Sequence, residues 1–244
     1  MTLLLIAALC TAVASVVGGA SGFGAAMIAT PLMLIGGLDI TDVVVVNLVV
    51  GLLTRLAAVY QLRRHVEWPR VLILGGASLP GAWLGTLVVT MLPQAVLKPA
   101  AGMVAVLCGI LMALPLADDP PPPSRTANIA AGAAGGFLST TTSMNGPPVV
   151  LLLSRARLTP LSFIADLAGY FVIVMTLSLA LLWSYGEFRP GEIMPLLVTC
   201  VVVGLLGNQV GMVLVKRLTP KAFRTGAIVL ILAAGVMTVV SSFL

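Results

Sequence analysis

Apolar residues fill this chain in long runs, separated by short stretches rich in Gly, Pro, Ser, Thr or charge. The runs lie at about 2–19, 23–36, 40–60, 69–91, 94–116, 127–142, 145–154, 161–184, 192–215 and 222–243. All except 2–19, 127–142 and the two shortest are about 20 residues or longer, enough for a helix to cross a ~30 Å hydrocarbon core. The runs at 23–36 and 145–154 are shorter than a full crossing. Each half is therefore predicted to contain a short hairpin followed by three transmembrane helices.

The second half of the chain repeats the first. Residues 74–116 align with residues 200–242 without a gap, at an offset of 126 positions. Glycines recur at matched positions, with Gly81 on Gly207 and Gly85 on Gly211. Duplicated halves are typical of transporters, which hold their ligand where the halves meet. The small-residue faces around these glycines can pack within one protomer or between two, so a homodimer stays open.

Composition excludes a water-soluble protein. Hydrophobic residues make up 59% of the 244 residues and charged residues 9%, whereas soluble domains carry roughly 25% charged residues. The predicted fold is an all-α polytopic membrane protein built from two inverted-topology repeats. The repeats are residues 1–117 and 126–244, joined by a Pro-rich cytoplasmic linker at 118–125. The net charge of +5 is interpreted as a signal of topology, and no nucleic-acid partner is expected.

Charge also predicts the orientation. With the loop at 61–70 in the cytoplasm, eleven Lys and Arg residues fall on that side, and only Lys98 and Arg189 on the other. Such a bias marks the cytoplasmic face. The counterpart of this loop, at 185–192, is acidic and falls outside, so the two halves face opposite ways. The chain is predicted to span the bacterial inner membrane several times, with both termini extracytoplasmic.

The hairpin tips are the first candidates for a binding site. Non-helical backbone at membrane depth is tolerated where it is buried in protein or lines a wet cavity. A helix that begins after such a break directs free N–H groups into the cavity, which favours an anion. The expected substrate-binding residues are Ser21, Gly22, Phe23, Gly24, Thr142, Ser143, Met144, Asn145, Gly146 and Pro147. The alternative is that Gly and Ser at the tips only let helices pack closely.

Two charged residues inside the membrane segments are candidates for coupling or gating. Arg55 and Asp166 lie at similar depths in helices that are repeat partners, so an ion pair between them would make both tolerable. Arg55 either attracts an anion or holds Asp166. Alternatively, Arg55 extends to the cytoplasmic surface and Asp166 caps the helix start near Thr159. The amides Asn47, Asn208 and Gln209 are either ligand contacts or interhelical hydrogen bonds.

The tips resemble a known family. The segment SGFGAAMIATPLM at 21–33 is similar to the first-half signature of the TauE/SafE family of sulfite and organosulfonate exporters, and GGFLSTTTSMNGPPVVLLL at 135–153 to its second-half signature. The resemblance implies a plasma-membrane transporter of small sulfur-containing anions, such as sulfite or sulfoacetate, without a cofactor. In this chain Ala25-Ala26 and Thr140-Thr141-Thr142-Ser143 replace the usual glycines.

The predicted function is a secondary transporter that moves a small sulfur-containing anion by alternating access, with the site between the tips. The alternatives are an anion or solute channel, or a carrier of a non-sulfur small carboxylate. No GxxxxGK[ST] segment is present, so we expect an ion gradient or the substrate's own gradient to drive transport. An enzyme is not expected. Intramembrane hydrolysis requires a Ser–His or paired Asp arrangement or a metal site, and the sequence offers no such set of residues.

Overall fold

A computed structural model describes residues 2–21, 23–113, 123–156, 158–214 and 220–241. These residues form α-helices joined by short turns, and no strand occurs among them. The helices of the first half are α1 Thr2–Ser21, α2 Ala25–Ile35, α3 Ile40–Leu62, α4 Trp68–Met91 and α5 Gln94–Ala113. Those of the second half are α6 Arg125–Thr142, α7 Gly146–Ser154, α8 Pro160–Ser184, α9 Pro190–Leu214 and α10 Pro220–Ser241.

The all-helical membrane fold predicted from the apolar runs is confirmed. Within the described residues, 6 helices are long and apolar enough to cross a bilayer: α1, α3, α4, α5, α8 and α9. Five of these six helices were predicted as full crossings from sequence. The sixth predicted crossing was 222–243, which corresponds to α10, and α1 takes its place. In α10 the apolar stretch found is the shorter Ile231–Val240, whereas α1 has 20 residues and reaches ~30 Å. The first hairpin thus combines a full-length helix with a short one.

The first hairpin returns to the side on which it begins. Gly36, which follows α2, lies against the side chain of Ile6, and Gly37 lies near Leu3 at the start of α1. The tip between Ser21 and Ala25 is therefore at the opposite end of both helices. Gly24 at this tip has a φ of 88°, a conformation that glycine adopts without steric cost.

The two halves pack against each other through the repeated glycines. Helix α4 lies on α6, and α9 lies on α1. A Cβ atom at Gly81 would overlap the carbonyl oxygen of Ala133, and one at Gly211 would overlap that of Val16. These faces therefore pack within the protomer, and they are not available for a homodimer contact.

Helix pairing is reciprocal between the halves. Each hairpin's first helix, α1 or α6, packs on the fourth helix of the other half, α9 or α4, while α3 packs on α8 and α5 on α10. Most of the linker at 118–125 lies outside the described residues. The division into repeats and their inverted orientation stay predictions.

Candidate substrate-binding cavity between the hairpins

A cavity lies between the two hairpins, at the centre of the helix bundle. Its volume is about 50 Å³, and since one water needs about 10–15 Å³ of such space, it holds roughly four water-sized groups. Helices α1, α2, α3, α8 and α9 and both hairpin tips form its walls. The bundle therefore brings the two predicted tips to one cavity.

Most of the predicted site residues line this cavity. They are Phe23, Gly24, Ser143, Met144, Asn145, Gly146 and, from α3, Arg55. Thr142 and Pro147 are buried beside the second tip but are not on the cavity wall. Gly22 and the side chain of Ser21 lie outside the described residues. Whether the lining residues bind a substrate stays a prediction.

A buried cluster of hydrogen bonds joins the second tip to the first half. The amide nitrogen of Asn47 donates to the hydroxyls of Thr30, at 3.0 Å, and of Ser143, at 3.2 Å. The Thr30 hydroxyl donates to the carbonyl of Thr142 at 3.0 Å. Ser143 has a φ of 58°, a left-handed conformation that is uncommon outside glycine. The neighbouring hydroxyl and amide groups hold it there, so the tip has a defined shape on the cavity wall.

The two helices that begin at the tips differ in the backbone N–H groups that they offer to the cavity. Helix α7 begins with Gly146-Pro147-Pro148, and proline has no N–H to donate. Helix α2 begins with Ala25-Ala26-Met27, which keep their N–H groups and line the cavity. The first N–H groups of a helix have no partner within it. The expectation that both helix starts favour an anion stays a prediction. The N–H groups of α2 support it, whereas at the start of α7 the two prolines leave Gly146 as the one N–H donor of the three.

Arg55 places a positive charge on the cavity wall. Its side chain is 8% exposed, and its Nη2 atom donates to the carbonyl of Gly18 at 3.5 Å, the outer limit for a hydrogen bond. No carboxylate among the described residues lies within ion-pair distance of it. Isolated buried charges cost free energy unless a counter-charge compensates them. The guanidinium therefore faces the cavity with most of its donor capacity unused.

The predicted pair of Arg55 with Asp166 is wrong. The Asp166 carboxylate, 0% exposed, accepts from the Arg70 Nη1 atom at 2.5 Å and from the backbone N–H of Glu67 at 2.7 Å. Glu67 is the residue before α4, so Asp166 caps α4, where a negative charge is favoured. The alternative that Asp166 caps the start of its own helix is also wrong, because Thr159 fills that role by accepting from Ser162.

This pairing predicts the outcome of two double-mutant cycles. Arg70→Gln and Asp166→Asn should show a coupling of about 1–3 kcal/mol in the free energy of unfolding, since the two residues are in contact. Arg55→Gln and Asp166→Asn should be additive within about 0.5 kcal/mol. Denaturant unfolding of the detergent-purified variants measures both. Coupling in the second cycle that matches the first would contradict the assignment of Asp166 to Arg70.

Several polar residues on the cavity wall were not among the predicted site residues. Thr11 and Ser15 line it from α1. The residues Thr11, Ser15 and Gly18 are spaced i, i+4 and i+7, which places them on one helix face. That spacing was the available signal. The sequence analysis considered three amides as ligand contacts or interhelical hydrogen bonds. Asn47 lines the cavity and makes an interhelical hydrogen bond, Asn208 lines the cavity, and Gln209 is exposed.

Within the described residues, no three His, Cys, Asp or Glu side chains lie close enough together to hold a metal ion. The three cysteines are free thiols.

Comparison with known proteins identifies the family. The model of the family "Sulfite exporter TauE/SafE" matches residues 7–238. No curated protein and no solved structure matches the chain. The match covers both hairpins, all six candidate membrane spans almost completely, and every described residue of the cavity wall. The chain is a multi-pass membrane protein and belongs to the TauE/SafE family of sulfite exporters.

Proposed function

We propose that the chain is a secondary carrier that moves a small sulfur-containing anion across the plasma membrane, and that it binds this anion in the cavity between the hairpins. The observation that carries the proposal is Arg55, a buried cation on the cavity wall without a carboxylate partner among the described residues. A charged side chain inside the membrane is costly unless it is paired, and a bound anion would supply the charge that Arg55 lacks.

The surroundings of Arg55 support an anion in the same place. The N-terminal turn of α2 adds free N–H groups, and Asn208 adds a neutral amide that can donate. Among the described residues, no acidic side chain lines the cavity. A sulfite or sulfonate group, with three oxygens that accept hydrogen bonds, matches this set of donors.

Alternating access is the proposed mode of transport. The cavity lies where the halves meet, as in carriers built from inverted repeats. The Thr30, Asn47 and Ser143 cluster links the second tip to the first half, so it would be rearranged when one half rocks against the other. Asp166 is proposed as part of a gating contact with Arg70, about one and a half turns from the cavity residue Phe171. The basic loops are proposed to face the cytoplasm, with both termini outside.

Flux through reconstituted liposomes tests the function. Liposomes are loaded with sulfite, sulfate, acetate or taurine, or with none of these solutes. The uptake of labelled sulfite into each preparation is then followed. A carrier of sulfur anions should give saturable uptake that internal sulfite accelerates and internal acetate does not. Flux that neither saturates nor shows counterflow would make the protein a channel. Equal acceleration by acetate would instead indicate a carrier of small carboxylates.

A further inference from the structure

The cavity has a second polar end, which the anion site at Arg55 does not use. Thr11 and Ser15 line the cavity from α1 and are 3% and 5% exposed. The Thr11 hydroxyl has no hydrogen-bond partner within the described residues. Its polar neighbour is the thiol of Cys200, a weak hydrogen-bonding group, and the contact falls short of hydrogen-bond geometry. A buried hydroxyl without a partner costs free energy in the empty protein.

A glycine of α9 packs beside these two residues. A Cβ atom at Gly204 of α9 would lie 3.3 Å from the Cγ2 atom of Thr11, 3.4 Å from the Oγ atom of Ser15 and 2.5 Å from the side chain of Val50. The glycine therefore lets α1, α3 and α9 approach closely, and a side chain at this position would have to displace Val50. Thr11, Ser15 and Val50 all line the cavity beside this contact.

The two polar ends are separated along α1. Arg55 contacts the carbonyl of Gly18, and Thr11 lies seven residues earlier on the same face, which is about 10 Å along a helix. A sulfite ion at Arg55 does not reach that far. Two hydrogen bonds of about 2.9 Å each leave roughly 4–5 Å for the ligand itself, the length of three or four covalent bonds.

We propose that Thr11 and Ser15 form a second subsite, which binds a neutral hydrogen-bonding group at the far end of an elongated anion whose charged end lies at Arg55. This proposal rests on the proposed function, because it takes Arg55 as the anion site. Thr11 is then a specificity-determining residue, which distinguishes anions that carry a second polar group from anions of equal length that do not. A site built to hydrogen-bond a ligand group disfavours the analogue that lacks it, since its own polar group stays unpaired.

Two probes of equal length test the subsite: 2-hydroxyethanesulfonate and ethanesulfonate, which differ by one hydroxyl. The wild-type protein in detergent should bind the hydroxylated probe about five- to tenfold more tightly, the value of one net hydrogen bond. The nearly isosteric Thr11→Val should remove this preference and leave the affinity for ethanesulfonate and sulfite unchanged. Thr176→Val is the matched control, since Thr176 is exposed and donates to the carbonyl of Val172 in its own helix.

The outcomes separate the subsite from the proposed function. A preference that survives in Thr11→Val, or no preference in the wild type, would overturn the subsite while sulfite binding still supports the function. Binding of neither sulfonate nor sulfite would overturn both. Thermal unfolding without ligand is the second readout: Thr11→Val should unfold at the same or a higher temperature, because it removes an unpaired buried hydroxyl. A clear loss of stability in Thr11→Val would assign the hydroxyl to structure instead.

Discussion

Replacement of Arg55 by glutamine is expected to weaken anion binding by about 10- to 150-fold, the most direct test of the proposed site. A hydrogen bond to a charged group contributes about 1.5–3 kcal/mol, and Arg55 is the cation on the cavity wall in the described part of the chain. Arg55→Lys should recover part of the loss, because it keeps the charge but not the planar fork of donors. Calorimetric titration of sulfite into the detergent-purified variants measures the affinities.

The control for this substitution is Arg63→Gln. Arg63 is exposed and lies over the ring of Tyr60, 5.1 Å from its centroid. Its loss should leave sulfite affinity unchanged, whereas an equal effect of both substitutions would indicate a general effect of charge. Without ligand, Arg55→Gln should be at least as stable as the wild type, since it removes a buried charge that has no counter-charge. Unchanged sulfite affinity in Arg55→Gln would remove the proposed site.

Substitution of Gly81 by alanine is expected to destabilise the folded protein by about 3 kcal/mol, the upper part of the range for overpacking. The added Cβ atom would overlap the backbone of Ala133, and its distance to the carbonyl carbon would be 2.7 Å. The obstacle is main chain, so α4 and α6 must separate along their contact. Gly211→Ala should cost a similar amount, because Gly211 meets Val16 of α1 in the same way.

Gly76→Ala is the matched control for the glycine series. Gly76 lies in α4, five residues before Gly81, and a Cβ atom there would meet nothing within 4 Å. This variant should be neutral or up to about 1 kcal/mol more stable, since alanine favours the helix over glycine. Denaturant unfolding and the yield of monodisperse protein report both effects. Wild-type stability in Gly81→Ala and Gly211→Ala would mean that the halves do not pack through these glycines.

The helices and their breaks follow from the order of residues along the chain. The apolar runs coincide with the ten helices of the described residues, because burial in lipid demands continuous hydrophobicity over a helix length. The breaks at the two tips were predicted from their Gly-, Ser- and Thr-rich sequences, and the structure adds that Gly24 and Ser143 there have a left-handed backbone. The recurrence of Gly81 at Gly207 marked the contact faces, although not which helix each face meets.

Which side chains meet across two helices depends on how each helix is rotated and tilted. The position of a residue along its helix does not define this. Arg55 and Asp166 have similar depths, yet Arg55 faces the cavity while Asp166 faces the start of α4 and Arg70.

The sequence by itself determined the class of protein, the positions of its helices and the two tips that meet at the cavity. The tertiary structure alone decided that, among the described residues, Arg55 is left without a carboxylate partner and the buried hydroxyl of Thr11 without a hydrogen-bond partner. The physical reason is that hydrophobicity and backbone preference are local properties. The pairing of a buried charge or hydroxyl is set by every helix packed around it.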